Sequence, residues 1–120
     1  MMGISRFPGE RRGRCGAVSF NGLVYAVATD TSSADGIAEQ TRRALSELDD
    51  ALTAAGSSKA GLLQATVYLN DIGDKAEMDE VWCAWIGEQD NWPQRACIGV
   101  DLANADLIEI VVVAIQLQAD

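Results

Sequence analysis

"PQRACIGVDLANADLIEIVVVAI", residues 93–115, reads as two strands divided by the turn-like "ANAD". The second, "LIEIVVVAIQL", is apolar on both parities, the pattern of a strand in the middle of a sheet and covered on both faces. Its sole charge is Glu109, set between Ile108 and Ile110. A carboxylate buried without a partner is costly enough that it usually neutralises or is excluded, so Glu109 needs a reason. The first strand, in "RACIGVDL", follows Pro93 and carries the permanent cation Arg95 at its mouth. Paired as an antiparallel hairpin, the two strands would bring Arg95 and Glu109 near the same end of adjacent strands. Spacing alone leaves three readings open: a structural ion pair, a strand-end glutamate reaching solvent, or a small carboxylate-binding site with a water-activating base. The last is chemically apt because guanidinium matches a carboxylate in two hydrogen bonds, which lysine cannot do.

Working outward, "CGAVSFNGLVYAVAT" predicts strands at about 14–20 and 23–29, joined by Asn21-Gly22, a pair that accepts the positive φ angles of a two-residue hairpin turn. "TSSADG" offers Ser32, Ser33 or Asp35 as a helix cap. Ile37, Thr41, Leu45, Leu48, Leu52 and Ala55 then form one stripe along a helix that Gly56 ends. "LLQATVYLND" predicts a third strand, and "DKAEMDEVWCAWIG" a second helix with Met78, Val81, Trp82, Trp85 and Ile86 on one face. Core or interface packing is the expected role of the two tryptophans, given the area they bury. The order ββαβαββ is that of an α+β two-layer sandwich, a mixed sheet with two helices on one face. The other face has nothing left in the chain to cover it, which points to subunits packing sheet to sheet.

At 120 residues the chain is expected to form a single domain, 1–120. Its 48% hydrophobic and 22% charged content is that of a globular protein, and its longest apolar run is too short to span a bilayer. Basic residues near the start are not followed by an apolar segment, so no secretory signal is expected and the location is expected to be cytoplasmic. A formal charge of −9 disfavours nucleic acid and anionic membrane as partners. Arg6, Arg11, Arg12 and Arg14 are the local exception, expected to lie on a solvated N-terminal arm. Cys15, Cys83 and Cys97 have no C-x-x-C spacing and the chain has no histidine, so no metal site or cofactor is expected and the cysteines read as small buried hydrophobes. Without histidine, acid–base chemistry must run through a carboxylate.

The C-terminal stretch resembles the signature of the reactive intermediate deaminase family, Rid or YjgF, in which a Pro-x-Arg-x-Cys run leads to a closing strand containing glutamate. The resemblance extends to "NGLVY", "EQTRRALSELDDALTAAGSS", "LLQATVYLNDIGD" and "AEMDEVWCAWI", the last being particularly like the YoaB-type branch. It implies a chorismate-mutase-like fold, a homotrimer with pockets between subunits, and hydrolysis of enamines and imines such as 2-aminoacrylate to 2-keto acids and ammonia. It also implies roles: Arg95 grips the substrate carboxylate, the backbone amide of Cys97 helps to hold it, and Glu109 positions the attacking water. An imine carbon is already electrophilic, so orientation and one carboxylate base can suffice without metal or cofactor.

The chain departs from the best-known branch at several of these positions. Val27 and Ala28 stand where that branch has serine or a similar residue and glycine; Ala28 still offers a backbone amide, but its side chain would crowd the pocket. Arg14 stands about where it has a pocket tyrosine, and Asp79 about where it has an asparagine. A pocket-lining Arg14 would add a second cation suited to dicarboxylate imines, whereas an Arg14 on the arm would point to solvent. A noncatalytic trimer that binds a small carboxylate as a sensor or regulator is the alternative function; Glu109 favours the enzyme, because an acid beside the pocket would repel a simple anionic ligand.

Overall fold

The backbone follows the expected periodicities closely, with one strand more than expected. A computed structural model describes residues 3–118. Strands β1 (Ser5–Pro8), β2 (Cys15–Phe20) and β3 (Leu23–Thr29) precede helix α1 (Ile37–Ala54); β4 (Leu62–Leu69), α2 (Lys75–Ile86), β5 (Gln94–Gly99) and β6 (Ile108–Ile115) follow. The β2–β3 turn uses positive φ at Asn21 and Gly22, as a tight hairpin between right-twisted strands requires. Helix α1 gives way at Gly56, whose φ of 83° excludes most side chains and whose added Cβ would lie 2.4 Å from the Gln118 carbonyl. The expected side-chain cap is absent. Gly36 occupies the N-cap without a side-chain bond, while Asp30 takes the loop's donors instead, accepting from the Ser32 amide and hydroxyl and from the Ala34 amide.

All six strands form one sheet in the order β1-β2-β3-β6-β4-β5. β6 is central, as its apolar sequence requires, pairing antiparallel with β3 and with β4. The hairpin expected between the last two strands does not form. β5 pairs instead with β4, in parallel, with Ala65 opposite Arg95 and Val67 opposite Cys97. Two physical demands produce this outcome: the strand that is apolar on both parities takes the inner slot, and α2 supplies the crossover that parallel neighbours need. The polar turn after β5 therefore carries the chain past β4 rather than folding it straight back.

Ile108, Ile110, Val112 and Ala114 of β6 are buried beneath the helices, together with Leu45, Leu48 and Leu52 of α1 and Met78, Trp82 and Ile86 of α2. Each fully buried leucine or isoleucine contributes about 1.5–3 kcal/mol relative to exposure. The alternate residues point the other way: Tyr25, Val111 and Ile115 stay 38–45% exposed on a face that no element of this chain covers.

The arginine-rich N-terminus is not a free arm, although Arg6, Arg12 and Arg14 are solvent-exposed as expected. β1 pairs with β2, Phe7 packs against the core, and Arg11 donates to the buried Asp106 at 3.0 Å, tying the β1–β2 loop to the turn before β6. The alternating polarity of "SRFP" was hidden by its brevity and by the arginines around it. The cysteines also differ from expectation: Cys83 is exposed and Cys15 and Cys97 are half-buried, all three free thiols. Among the described residues no helix is long and apolar enough to cross a membrane, and no cluster of His, Cys, Asp or Glu could hold a metal ion.

Candidate functional site

Arg95 is answered by an acid, but the acid is Asp79. Residue 95 is second on the edge strand β5, opposite Ala65, so its side chain rises on the helix-covered face and meets α2. Its Nη2 donates to Asp79 Oδ1 at 2.6 Å, its guanidinium carbon lies 5.2 Å from the Trp82 ring centroid, and Nη1 approaches the Met78 sulfur at 3.9 Å. Met78, Asp79 and Trp82 fall on one side of α2 by helical spacing, so a single turn of helix supplies the three contacts. The cation–π contact and the ion pair hold the guanidinium in place while 18% of the side chain stays exposed. Asp79 Oδ2 also accepts from Lys75 Nζ at 2.7 Å. Burial pushes the Asp79 carboxyl up, but the hydrogen bonds and charges of Lys75 and Arg95 outweigh it and hold the group below its ordinary range.

Cys97 lies two residues along the same edge, where backbone amides that do not face β4 are free to donate. Burial raises its thiol above the ordinary value despite the pull of Arg95 and Lys75. At neutral pH it is a thiol rather than a thiolate, which is poor for a nucleophile and immaterial to a backbone role.

Glu109 stands elsewhere. It alternates with the buried Ile108 and Ile110, so it projects from the uncovered face, opposite Thr29 on β3 and Tyr68 on β4. Its cationic neighbour is Arg14, with Nη1 3.7 Å from Oε2 and the two side chains 35% and 29% exposed. Arg95 and Glu109 are thus separated by β4, by three residues of register and by the sheet itself. That amounts to roughly 10 Å along the strands and about 10 Å across them. The adjacency expected from a terminal hairpin is corrected accordingly.

Arg14 and Ala28 do come together. Both line a cavity of about 330 Å³ between the β1–β2 loop, the end of β3 and the outer side of α1, together with Val27 and Thr29. Ala28 is 3% exposed with its side chain on the helix side. Pairing of β3 with β2 stops at Ala26 while pairing with β6 continues to Thr29, so residues 27–29 keep one open backbone edge. Sequence reasoning missed Thr29: it is 2% exposed, and among the described residues its Oγ1 is the one buried side-chain polar atom without a partner. A threonine ending an apolar strand carries no signal of this. Asp79 and Trp82 were visible as a departure and as an apolar stripe, but nothing in their spacing relates them to Arg95.

Residues 16–116 match the profile of the family described as Endoribonuclease L-PSP. The RutC family protein YoaB of Escherichia coli K12 is 33% identical over 114 residues, covering 94% of this chain and 98% of that protein. The 2-iminobutanoate/2-iminopropanoate deaminase of Rattus norvegicus is 35% identical over 82 residues, covering 68% of this chain and 58% of the rat protein. Among solved structures, NMB1025 of Neisseria meningitidis, a member of the YjgF protein family, superimposes with a TM-score of 0.89 at 37% identity, covering 98% of each chain. By profile, by relatives and by fold, the chain belongs to the Endoribonuclease L-PSP family, the YjgF or Rid family of its sequence signature.

Proposed function

We propose that this protein hydrolyses small carboxylated enamines and imines, of the 2-aminoacrylate type, to 2-keto acids and ammonia. The observation that carries the reading is the Arg95 fork, held over Trp82, anchored by Asp79 and still partly open to solvent at the sheet edge. A rigid, planar, accessible guanidinium is what a small carboxylate binds best. The rat relative named as an imine deaminase supports the chemistry.

Because Arg95 and Glu109 project from opposite faces, a site that uses both is built from two copies of the chain: Arg95 and the edge amides near Cys97 from one, and Glu109, Arg14 and the open backbone at Ala28 from the next. A homotrimer with three such clefts closes this arrangement, and the apolar residues on the uncovered sheet face give the copies a surface on which to meet. In the cleft the substrate carboxylate docks on Arg95. Glu109 takes a proton from a water whose oxygen attacks the imine carbon and returns it to the nitrogen, giving the carbinolamine; on collapse the hydroxyl proton passes by the same carboxylate to the nitrogen as the C–N bond breaks. Collapse of the carbinolamine releases ammonia and leaves the 2-keto acid, and an enamine enters the same route after tautomerising to its imine. RNA cleavage, which the family description names, is disfavoured by the formal charge of −9 and by the lack of any histidine.

The test is a coupled assay in which a dehydratase generates 2-aminoacrylate and keto acid is followed with and without this protein. Faster keto-acid formation is expected, and an unchanged rate defeats the reading.

A further inference from the structure

Lys75, Asp79 and Arg95 form a three-membered chain of charge. Asp79 spends one oxygen on each cation, at 2.7 and 2.6 Å, so the cluster carries one net positive charge. Across the proposed cleft, Arg14 lies 3.7 Å from Glu109, so that side offers a second anion no net positive charge. We propose that Asp79 is the specificity-determining residue of the Arg95 clamp, setting it to accept a ligand with one carboxylate and to reject the dicarboxylate analogue. The inference rests on the reading of Arg95 as the carboxylate clamp.

The physical argument is one of electrostatic balance. A monocarboxylate brings the cluster to neutrality, using donors that Asp79 leaves free on the five-donor guanidinium. A second carboxylate on the same small ligand must sit within a few bonds of the first, close to Asp79, where like charges repel and water is partly excluded. The i,i+4 bond to Lys75 keeps Asp79 aimed at Arg95 rather than at solvent. An asparagine at this position would keep an acceptor for Nη2 while removing the repulsion, leaving two net positive charges. The second cation that would suit a dicarboxylate at Arg14 is thus outweighed in this chain.

Binding of 2-oxopentanoate and 2-oxoglutarate, which share a five-carbon skeleton and differ by the terminal carboxylate, tests this by calorimetry on the full chain. Intrinsic tryptophan fluorescence, to which Trp82 beside Arg95 contributes, serves as a second readout. The parent should bind 2-oxopentanoate more tightly, and Asp79→Asn should move the affinity ratio toward 2-oxoglutarate by about tenfold, the scale of one nearby charge in a partly solvated site. Asp79→Glu, which keeps the charge, should retain the parental ratio. A ratio that moves by less than about twofold in Asp79→Asn overturns the proposal. So does a Glu variant that behaves like Asn, since shape rather than charge would then be responsible. Because binding is read without turnover, a parent that discriminates between the two acids yet accelerates no imine hydrolysis defeats the deaminase reading and upholds this one.

Discussion

Two arginine–carboxylate pairs lie on opposite faces of one sheet, and their physics is different. Arg95 and Asp79 meet at 2.6 Å on the helix-covered face, with the guanidinium lying over Trp82 and a second cation on the acid. Arg14 and Glu109 stand 3.7 Å apart on the uncovered face, each about a third exposed. The first pair joins a helix to the strand that follows it; the second joins the two ends of the chain. A tight pair stiffens its arginine, which suits a group that must present a fixed fork to a ligand. A loose pair leaves its carboxylate able to exchange one partner for another, which suits a group that must accept a proton from water.

If that division of labour holds, the largest effect belongs to the loose side. Glu109→Gln keeps size and hydrogen bonding but removes the base, so keto-acid formation should fall by about 10²-fold or more while carboxylate binding persists. Equal activity in the variant and the parent would reduce Glu109 to a pairing residue. On the tight side, Arg95→Lys keeps the charge and loses the fork. A clamp of two charge-assisted hydrogen bonds reduced to a point charge should raise KM by roughly tenfold or more, with the fold intact by circular dichroism. Near-normal KM in that variant would dissolve the comparison, because the stiffness of the pair would then serve no ligand.

Double-mutant cycles sharpen the contrast without reference to catalysis. The Arg95–Asp79 coupling, less than a third exposed, should approach about 1 kcal/mol of folding stability, and Arg14–Glu109 should fall near zero, as loose exposed pairs do. Couplings of equal size, read from denaturant midpoints at constant m, would show that distance and exposure are poor guides here.

What was legible in the sequence follows the same division. Period and punctuation revealed the hairpin at Asn21-Gly22, the α1 stripe and the central place of β6, because each is a local pattern with one physical cause. Strand partnership is not local. Proximity in sequence suggested β5 beside β6, and only the competition for the inner slot of the sheet assigns β5 to β4. Both ion pairs were hidden for that reason: the residues were singled out, but the partners follow from topology. β1 escaped because four residues carry too little periodicity, and an arginine-rich stretch looks solvated until the buried Asp106 is known to accept from Arg11.

The smallest expected effect concerns acid. The Asp79 carboxyl is held below its ordinary value of 3.8 in the folded protein, because the bonds and charges from Lys75 and Arg95 outweigh burial. A depressed carboxyl contributes stability that is complete above the unfolded value and is lost as pH falls through the folded one. Asp30, likewise lowered, adds the same dependence in parent and variant alike, burial again being outweighed by bonds from Ser32 and Ala34. The difference between the parent and Asp79→Asn therefore isolates Asp79. That difference should be constant above about pH 5 and shrink below pH 3.8, by about 1 kcal/mol or less given the exposure of the group. Urea midpoints of both proteins across that range measure it. Curves that run parallel to the acid limit would mean that Asp79 gains nothing from its two cations in the fold, and that the tight pair is tight only for the arginine.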